Sequence, residues 1–145
     1  MSEVNGYNLE KLVGQFQIVA EFVDGYPWTK GHINDTYIIN CRQGGSPIRY
    51  ILQRINHHVF QQPAVVMQNV KEATQHLRKK IASESSADLT RRTMTLVPTR
   101  GGASYYMDSA GNYWRAYVFI ERVKSSHVAE KPEQAEQVGR AFGLF

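Results

Sequence analysis

Residues 48–55 constrain the fold more than any other stretch of the chain. Read as a strand, they place Tyr50, Leu52 and Arg54 on one face and Ile51, Gln53 and Ile55 on the other. Both faces are largely apolar, the pattern of a strand covered on both sides. It belongs in the middle of a sheet. An amide and a guanidinium in such a strand are costly unless each has a partner or a ligand.

The surrounding sequence supplies the rest of a layered domain. Gly44, Gly45, Ser46 and Pro47 form a turn. Residues 33–41 and 48–55 therefore read as a hairpin. Residues 17–24 are rich in β-branched and aromatic side chains and read as a strand, after which Gly25, Pro27 and Gly31 break the pattern. Asn8 caps a short helix over 8–17. Pro63 opens a long helix to about Ile81, with Val66, Val70, Ala73, Thr74, Leu77 and Ile81 on one stripe. Residues 83–88 read as a loop and 92–98 as a fourth strand. Residues 103–107 and 113–121 flank a turn at Asp108–Asn112. Pro132 opens a last helix. Short connections between successive strands make the sheet mostly antiparallel, with one large helix against it, an α+β layer.

Composition narrows the class. A chain of 145 residues suits one domain, and 42% hydrophobic residues exclude a disordered tail. Cys41, the single cysteine, excludes an internal disulfide framework and reads as a small buried hydrophobe. The first residues lack the apolar core of a signal peptide, and no apolar run approaches the ~20 residues needed to cross a bilayer. A cytoplasmic protein without a membrane partner is expected. The formal net charge is +4, but the basic residues are scattered, and Arg78, Lys79 and Lys80 suit the tail of the long helix. Tyr105, Tyr106, Tyr113 and Trp114 lie near Arg100 and Arg115, which is compatible with stacking on single strands. Aromatic residues in strands more often pair across the sheet, so no nucleic-acid partner is expected.

Chemical motifs are sparse. GxxxxGK[ST], GxGxxG and GxSxG are absent. His32, His57, His58, His76 and His127 lack metal-ligand spacing. One stretch stands out. Gly31, His32, Ile33, Asn34, Asp35 and Thr36 link the first strand to the second, and a glycine followed by short polar residues at such a bend can present backbone N–H groups to an anion. Beside it stands the strand carrying Gln53 and Arg54, followed by a helix. An anion-binding loop, a strand-borne cation and a helix together are the architecture of a kinase small lobe.

Several blocks carry that likeness in order: Gly31–Tyr37 (GHINDTY), Arg49–Asn56 (RYILQRIN), Met67–Val70 (MQNV), Gly111–Glu121 (GNYWRAYVFIE) and Gly139–Gly143 (GRAFG). Over residues 8–145 the chain resembles the phosphotransferase family of aminoglycoside and choline kinases, and within it the N-acetylhexosamine kinases, which phosphorylate the anomeric hydroxyl.

The resemblance implies a protein-kinase-like N-terminal lobe over 1–123, a five-stranded antiparallel sheet with one long helix, with N- and C-terminal helices. Residues 124–145 would be a linker and the first helix toward a C-terminal lobe. It implies ATP and Mg2+ as cofactors and a sugar as acceptor. Gly31–Thr36 would cover the phosphates, and Arg54, or else Gln53, would replace the lysine that holds the α- and β-phosphates. Backbone groups near Glu121 and Val123 would meet the adenine edge. Ile39, Leu52 and Phe119 would serve as walls or as ordinary core.

The helix glutamate that pairs with that lysine has no counterpart at Glu72, which lies about 200° around the helix from Val70 and should face solvent. Asn69, at the border of the stripe, is the better-placed side chain. The family's catalytic aspartate and magnesium ligands belong to the other lobe, and no HxDxxxxN block occurs here. The chain alone is expected to be inactive and the full-length protein active. Ala135, Val138, Ala141, Phe142 and Phe145 form an apolar stripe without a helix-stop signal after it. That pattern reads as a piece of a longer protein, whose exposed helix could dimerise or swap. The contrasting reading is a stand-alone binding or regulatory module built on the same lobe.

Overall fold

The computed structural model describes residues 3–84, 88–126 and 128–144. In chain order the elements are a small hairpin of β1 (Glu3–Val4) and β2 (Tyr7–Asn8), helix α1 (Leu9–Val13), strands β3 (Glu21–Trp28), β4 (Asp35–Gln43) and β5 (Ser46–Ile55), helices α2 (Pro63–Glu84) and α3 (Leu89–Arg92), strands β6 (Leu96–Val97), β7 (Tyr106–Met107) and β8 (Tyr113–Val118), and helix α4 (Pro132–Gly143). The main sheet runs β3-β4-β5-β8-β6, with β7 also paired to β8. Its pairings among the described residues are antiparallel. β5 is the middle strand, as its two apolar faces predict. The fold is α+β, and the sheet holds six strands rather than five.

A two-residue turn sets the register of the central hairpin. Gln43 pairs with Ser46 across Gly44 and Gly45. Both glycines have positive φ, 55° and 83°, which suits the twist of such a turn and would strain other residues. Consequently Thr36 lies opposite Gln53 and Ile38 opposite Ile51. On the other side of β5, Gln53 faces Arg115 and Ile51 faces Tyr117.

The two faces of the sheet carry different cover. On one, Leu9, Leu12, Val13 and Phe16 pack against Tyr37, Ile39, Cys41, Leu52, Trp114 and Ala116. On the other lie the buried Ile38, Ile51 and Ile55, with Met67 of α2 fully buried beside them. Met67 is the anchor of α2, although the predicted stripe passes it by. Val66, Val70, Ala73, Thr74 and Leu77 are half-buried and Ile81 is buried.

Several predicted boundaries move for physical reasons. β3 runs through Gly25 and Pro27 to Trp28, because it is an edge strand where a missing N–H goes unnoticed. Residues 17–20 are not strand. Instead Gln17 N donates to the carbonyl of Pro98 at 2.9 Å and Arg100 N to that of Gln15 at 2.9 Å, clasping the chain to the segment before β7. The helix predicted over 8–17 is only α1, capped as expected by Asn8, whose Oδ1 accepts from Lys11 N at 2.9 Å. The expected strand at 92–98 opens as α3, capped by Asp88, and leaves a strand of two residues. The predicted 103–107 and 113–121 strands shorten to β7 and β8. The expected loop from Ser83 loses its start to α2, which ends at Glu84, and residues 85–87 lie outside the described part.

Candidate functional site

A cleft of about 670 Å³ opens on the α2 side of the sheet. Its floor is made by Thr36, Ile38, Ile51, Gln53 and Tyr117, its rim by Trp28, Lys30 and Gly31, and its far wall by Phe119, Ile120 and Val123–Ser126. The floor residues belong to two cross-strand rows, whose outer members Arg115 and Tyr26 are not part of the lining. Trp28, Thr36, Gln53 and Arg115 form one, and Tyr26, Ile38, Ile51 and Tyr117 the next. The rows are two residues apart, about 7 Å along the strands. The first is polar at its centre and lies under the 29–34 loop. The second is apolar and leads to Phe119.

The polar row is hydrogen-bonded in a chain. Gln53 Nε2 donates to Thr36 Oγ1 at 2.9 Å. Arg115 Nε and Nη2 both donate to Gln53 Oε1, at 2.8 and 2.6 Å. Arg115 Nη1 lies 3.7 Å from Met67 Sδ. No carboxylate among the described residues forms an ion pair with Arg115, unlike Arg49, Arg54 and Arg140. Burial pulls its pKa below the usual guanidinium range. Burial also raises the pKa of Tyr117, and the Arg115 charge offsets part of that rise.

The predicted site residues divide. Gly31, Thr36, Gln53 and Val123 line the cleft. Arg54 does not, because it is one residue out of phase with Gln53 and projects from the opposite face. There its Nε donates to Asp35 Oδ2 at 2.7 Å and its Nη1 to Asn112 Oδ1 at 3.2 Å, beside the Tyr7 ring. The same alternation removes Ile39 and Leu52 from the walls. They are fully buried on the α1 face, and Ile38 and Ile51 take the cleft side. Phe119 is a wall, stacked on the Arg49 guanidinium 4.0 Å from its centroid.

The loop residues are mostly structural. Asn34 Oδ1 accepts from Asn56 N at 2.9 Å, and Asn56 Nδ2 donates to the carbonyl of Ile33 at 3.1 Å. Asp35 holds Arg54. His32 makes contacts of its own and, like Ile33, Asn34 and Asp35, is not part of the cleft lining. Gly31 has no positive φ, and a Cβ there would come no closer than 3.6 Å to Asn34 O. The fold therefore does not require glycine at that position.

Asn69 and Glu72 are exposed on α2 and neither is part of the cleft lining, and Glu72 faces solvent as expected. Its Oε1 accepts from Gln68. Glu121 points away from the cleft and pairs with Arg49 through Nε at 2.7 Å, while its backbone carbonyl accepts from Arg91 Nη1 at 2.6 Å. That contact uses one of the carbonyl's two lone pairs. Glu121 is held below the usual carboxylate range by the Arg49 hydrogen bonds, working against partial desolvation.

Sequence reasoning missed Arg115. A cation between Trp114 and Ala116, both buried on the α1 face, had to project the other way, and that alternation was the available signal. Trp114 is fully buried against Tyr7, whose ring centroid lies 4.9 Å away, so it offers no stacking platform for a base. Cys41 is buried, and burial pushes its thiol pKa up, as suits a packing residue. No group of three His, Cys, Asp or Glu side chains among the described residues could hold a metal. His127 and Phe145 lie outside the described part. On α4, Val138 and Phe142 are exposed, as is Leu144 at its C-cap. No helix among the described residues is long and apolar enough to cross a membrane. No family model matches the chain.

Proposed function

We propose that this chain is the nucleotide-binding lobe of a small-molecule kinase that transfers the γ-phosphate of ATP to a sugar hydroxyl, the anomeric hydroxyl of an N-acetylhexosamine. The observation that carries the reading is the pairing of a polar row, Thr36 and Gln53, with an apolar row, Ile38, Ile51 and Tyr117, on the floor of one cleft beneath a glycine-containing loop. A nucleotide has that polarity, a flat apolar base at one end and phosphates at the other. The antiparallel sheet with a long helix following its central strand supports the same reading. The blocks that carry the resemblance include Gly31, Thr36, Ile51, Gln53 and Tyr117 of this cleft.

In this reading the base lies over Ile38 and Ile51 toward Phe119 and Val123, and the phosphates reach Thr36 and Gln53. The magnesium ions and the catalytic aspartate come with a second lobe. Phosphoryl transfer rests on positioning and metal-assisted charge stabilisation, so this chain alone should transfer no phosphate above a no-enzyme control. The test is ATP consumption by the protein in its full natural reading frame, against N-acetylhexosamines, other hexoses, choline and aminoglycosides, with and without magnesium. Magnesium-dependent turnover on an N-acetylhexosamine sustains the proposal. Turnover on another acceptor keeps the kinase and discards the sugar, and no turnover on any acceptor discards the kinase.

A further inference from the structure

We propose that Gln53 and Thr36 form an anion site built from neutral donors, with Arg115 as the positioning residue that orients Gln53 and places its charge one layer behind. The proposal rests on the nucleotide reading for its ligand, the phosphate of a nucleoside di- or triphosphate, but its geometry stands apart. A guanidinium is only a donor, so two N–H groups from Arg115 force the oxygen of the Gln53 amide to face it. The amide nitrogen must then face Thr36 and the cleft. One of its N–H bonds goes to Thr36 Oγ1. The other has no partner among the described residues. Thr36 Oγ1 accepts from Gln53, and its own proton, which has no acceptor among the described residues, can donate. The cleft floor thus offers two directed donors at one spot, under the 29–34 loop.

Among the described residues the charge of Arg115 has no carboxylate to neutralise it, and it lies against Met67 and the Tyr117 ring, 6.0 Å from its centroid. A cation kept in partly desolvated surroundings favours an anion nearby. Relayed through the Gln53 amide, it polarises the N–H that points into the cleft. The result is a site that needs no lysine at the position where related kinases place one.

The experiment titrates ADP and adenosine separately into the 145-residue chain, following the Gln53 side-chain amide and the Arg115 Nε–H by 15N–1H NMR. ADP is expected to shift both signals and to bind about tenfold more tightly than adenosine, the size of one charge-assisted hydrogen bond. Gln53→Glu supplies a carboxylate for Arg115, so the variant should keep its melting temperature yet lose the preference for ADP. Arg115→Met, which can pack on Met67, should lose the preference too, and Arg115→Lys should recover part of it. An unchanged ADP-to-adenosine ratio in folded Gln53→Glu or Arg115→Met overturns the proposal. Equal affinity of the unaltered chain for ADP and adenosine also overturns it while leaving a nucleoside cleft in place. If neither binds, the nucleotide reading falls and inorganic pyrophosphate decides. Shifts of the same two signals, with the Arg115 Nε–H shift abolished in Gln53→Glu, sustain the anion site, and their absence removes it.

Discussion

Trp114 donates its indole Nε1–H to Asp108 Oδ2 at 2.8 Å, from a position that is itself fully buried. The same carboxylate closes the β7–β8 turn, its Oδ1 accepting from Ala110 N and Asn112 N, both at 2.9 Å. One side chain thus ties a turn to the centre of the core. Asp108→Ala would leave the indole N–H unsatisfied and open the turn. A loss of about 1–3 kcal/mol is expected. Urea denaturation checks it, through a lower midpoint at unchanged slope.

The same contact makes stability depend on acid. Burial alone would raise the Asp108 pKa, but the hydrogen bonds from Trp114, Asn112 and Ala110 outweigh it and hold the carboxyl below its ordinary value. A folded-state pKa below the unfolded one adds stability that is full above the unfolded value, about 3.9, and disappears as pH falls through the folded value. The stability gap between the unaltered chain and Asp108→Asn should therefore be constant near neutrality and narrow below about pH 4. A gap unchanged down to pH 2 would count against this role.

Gly25 is a packing position rather than a hinge. A Cβ there would fall 2.7 Å from Leu9 Cδ1 and 2.9 Å from Ile39 Cδ1. Both side chains are fully buried, so neither has free space to retreat into. Gly25→Ala is expected to cost about 1–3 kcal/mol through overpacking. Thermal unfolding would read this as a lower midpoint, and Leu9→Ala in the same chain should relieve part of the clash.

Arg54 and Gln53 are adjacent in sequence and serve opposite faces. Arg54→Met removes a partly exposed pair with Asp35, so its stability cost should stay within about 1 kcal/mol. ADP affinity should not change, because Arg54 is outside the cleft. An ADP titration of the two variants Arg54→Met and Gln53→Glu, side by side, separates the roles: loss in the first and not in the second would reverse the assignment.

Much of the fold was legible because local rules govern it. The apolar alternation of 48–55 placed β5 in the middle, the glycine pair marked the hairpin, and Pro63 and Pro132 opened the two long helices where expected. The edge strand runs past its expected end at residue 24 to Trp28, since Pro27 breaks a central strand but not an outer one. The site was half legible. Gly31, Thr36, Gln53 and Val123 line the cleft, but choosing between Gln53 and Arg54 requires knowing which face of β5 meets α2, and both faces are apolar. The pairing of Gln53 with Arg115 spans the long connection from Asn56 to Asn112, where no turn rule transmits register. Met67 was missed for a related reason: it marks where α2 meets Arg115, a contact that helical periodicity does not encode.

The two-glycine turn between β4 and β5 has a reach well beyond its own place on the surface. Exposed tight turns ordinarily tolerate added or lost residues, and alternative lengths accumulate there as sequences diverge. Here one added residue that slipped β5 by a single step would carry every side chain to the other face. Gln53 would leave the cleft and Arg54 would enter it, exchanging a relayed charge for a direct one. The length of this turn is therefore under a constraint set by chemistry at the opposite end of the hairpin, and an insertion there would rewrite the site while leaving each of its residues in place in the sequence.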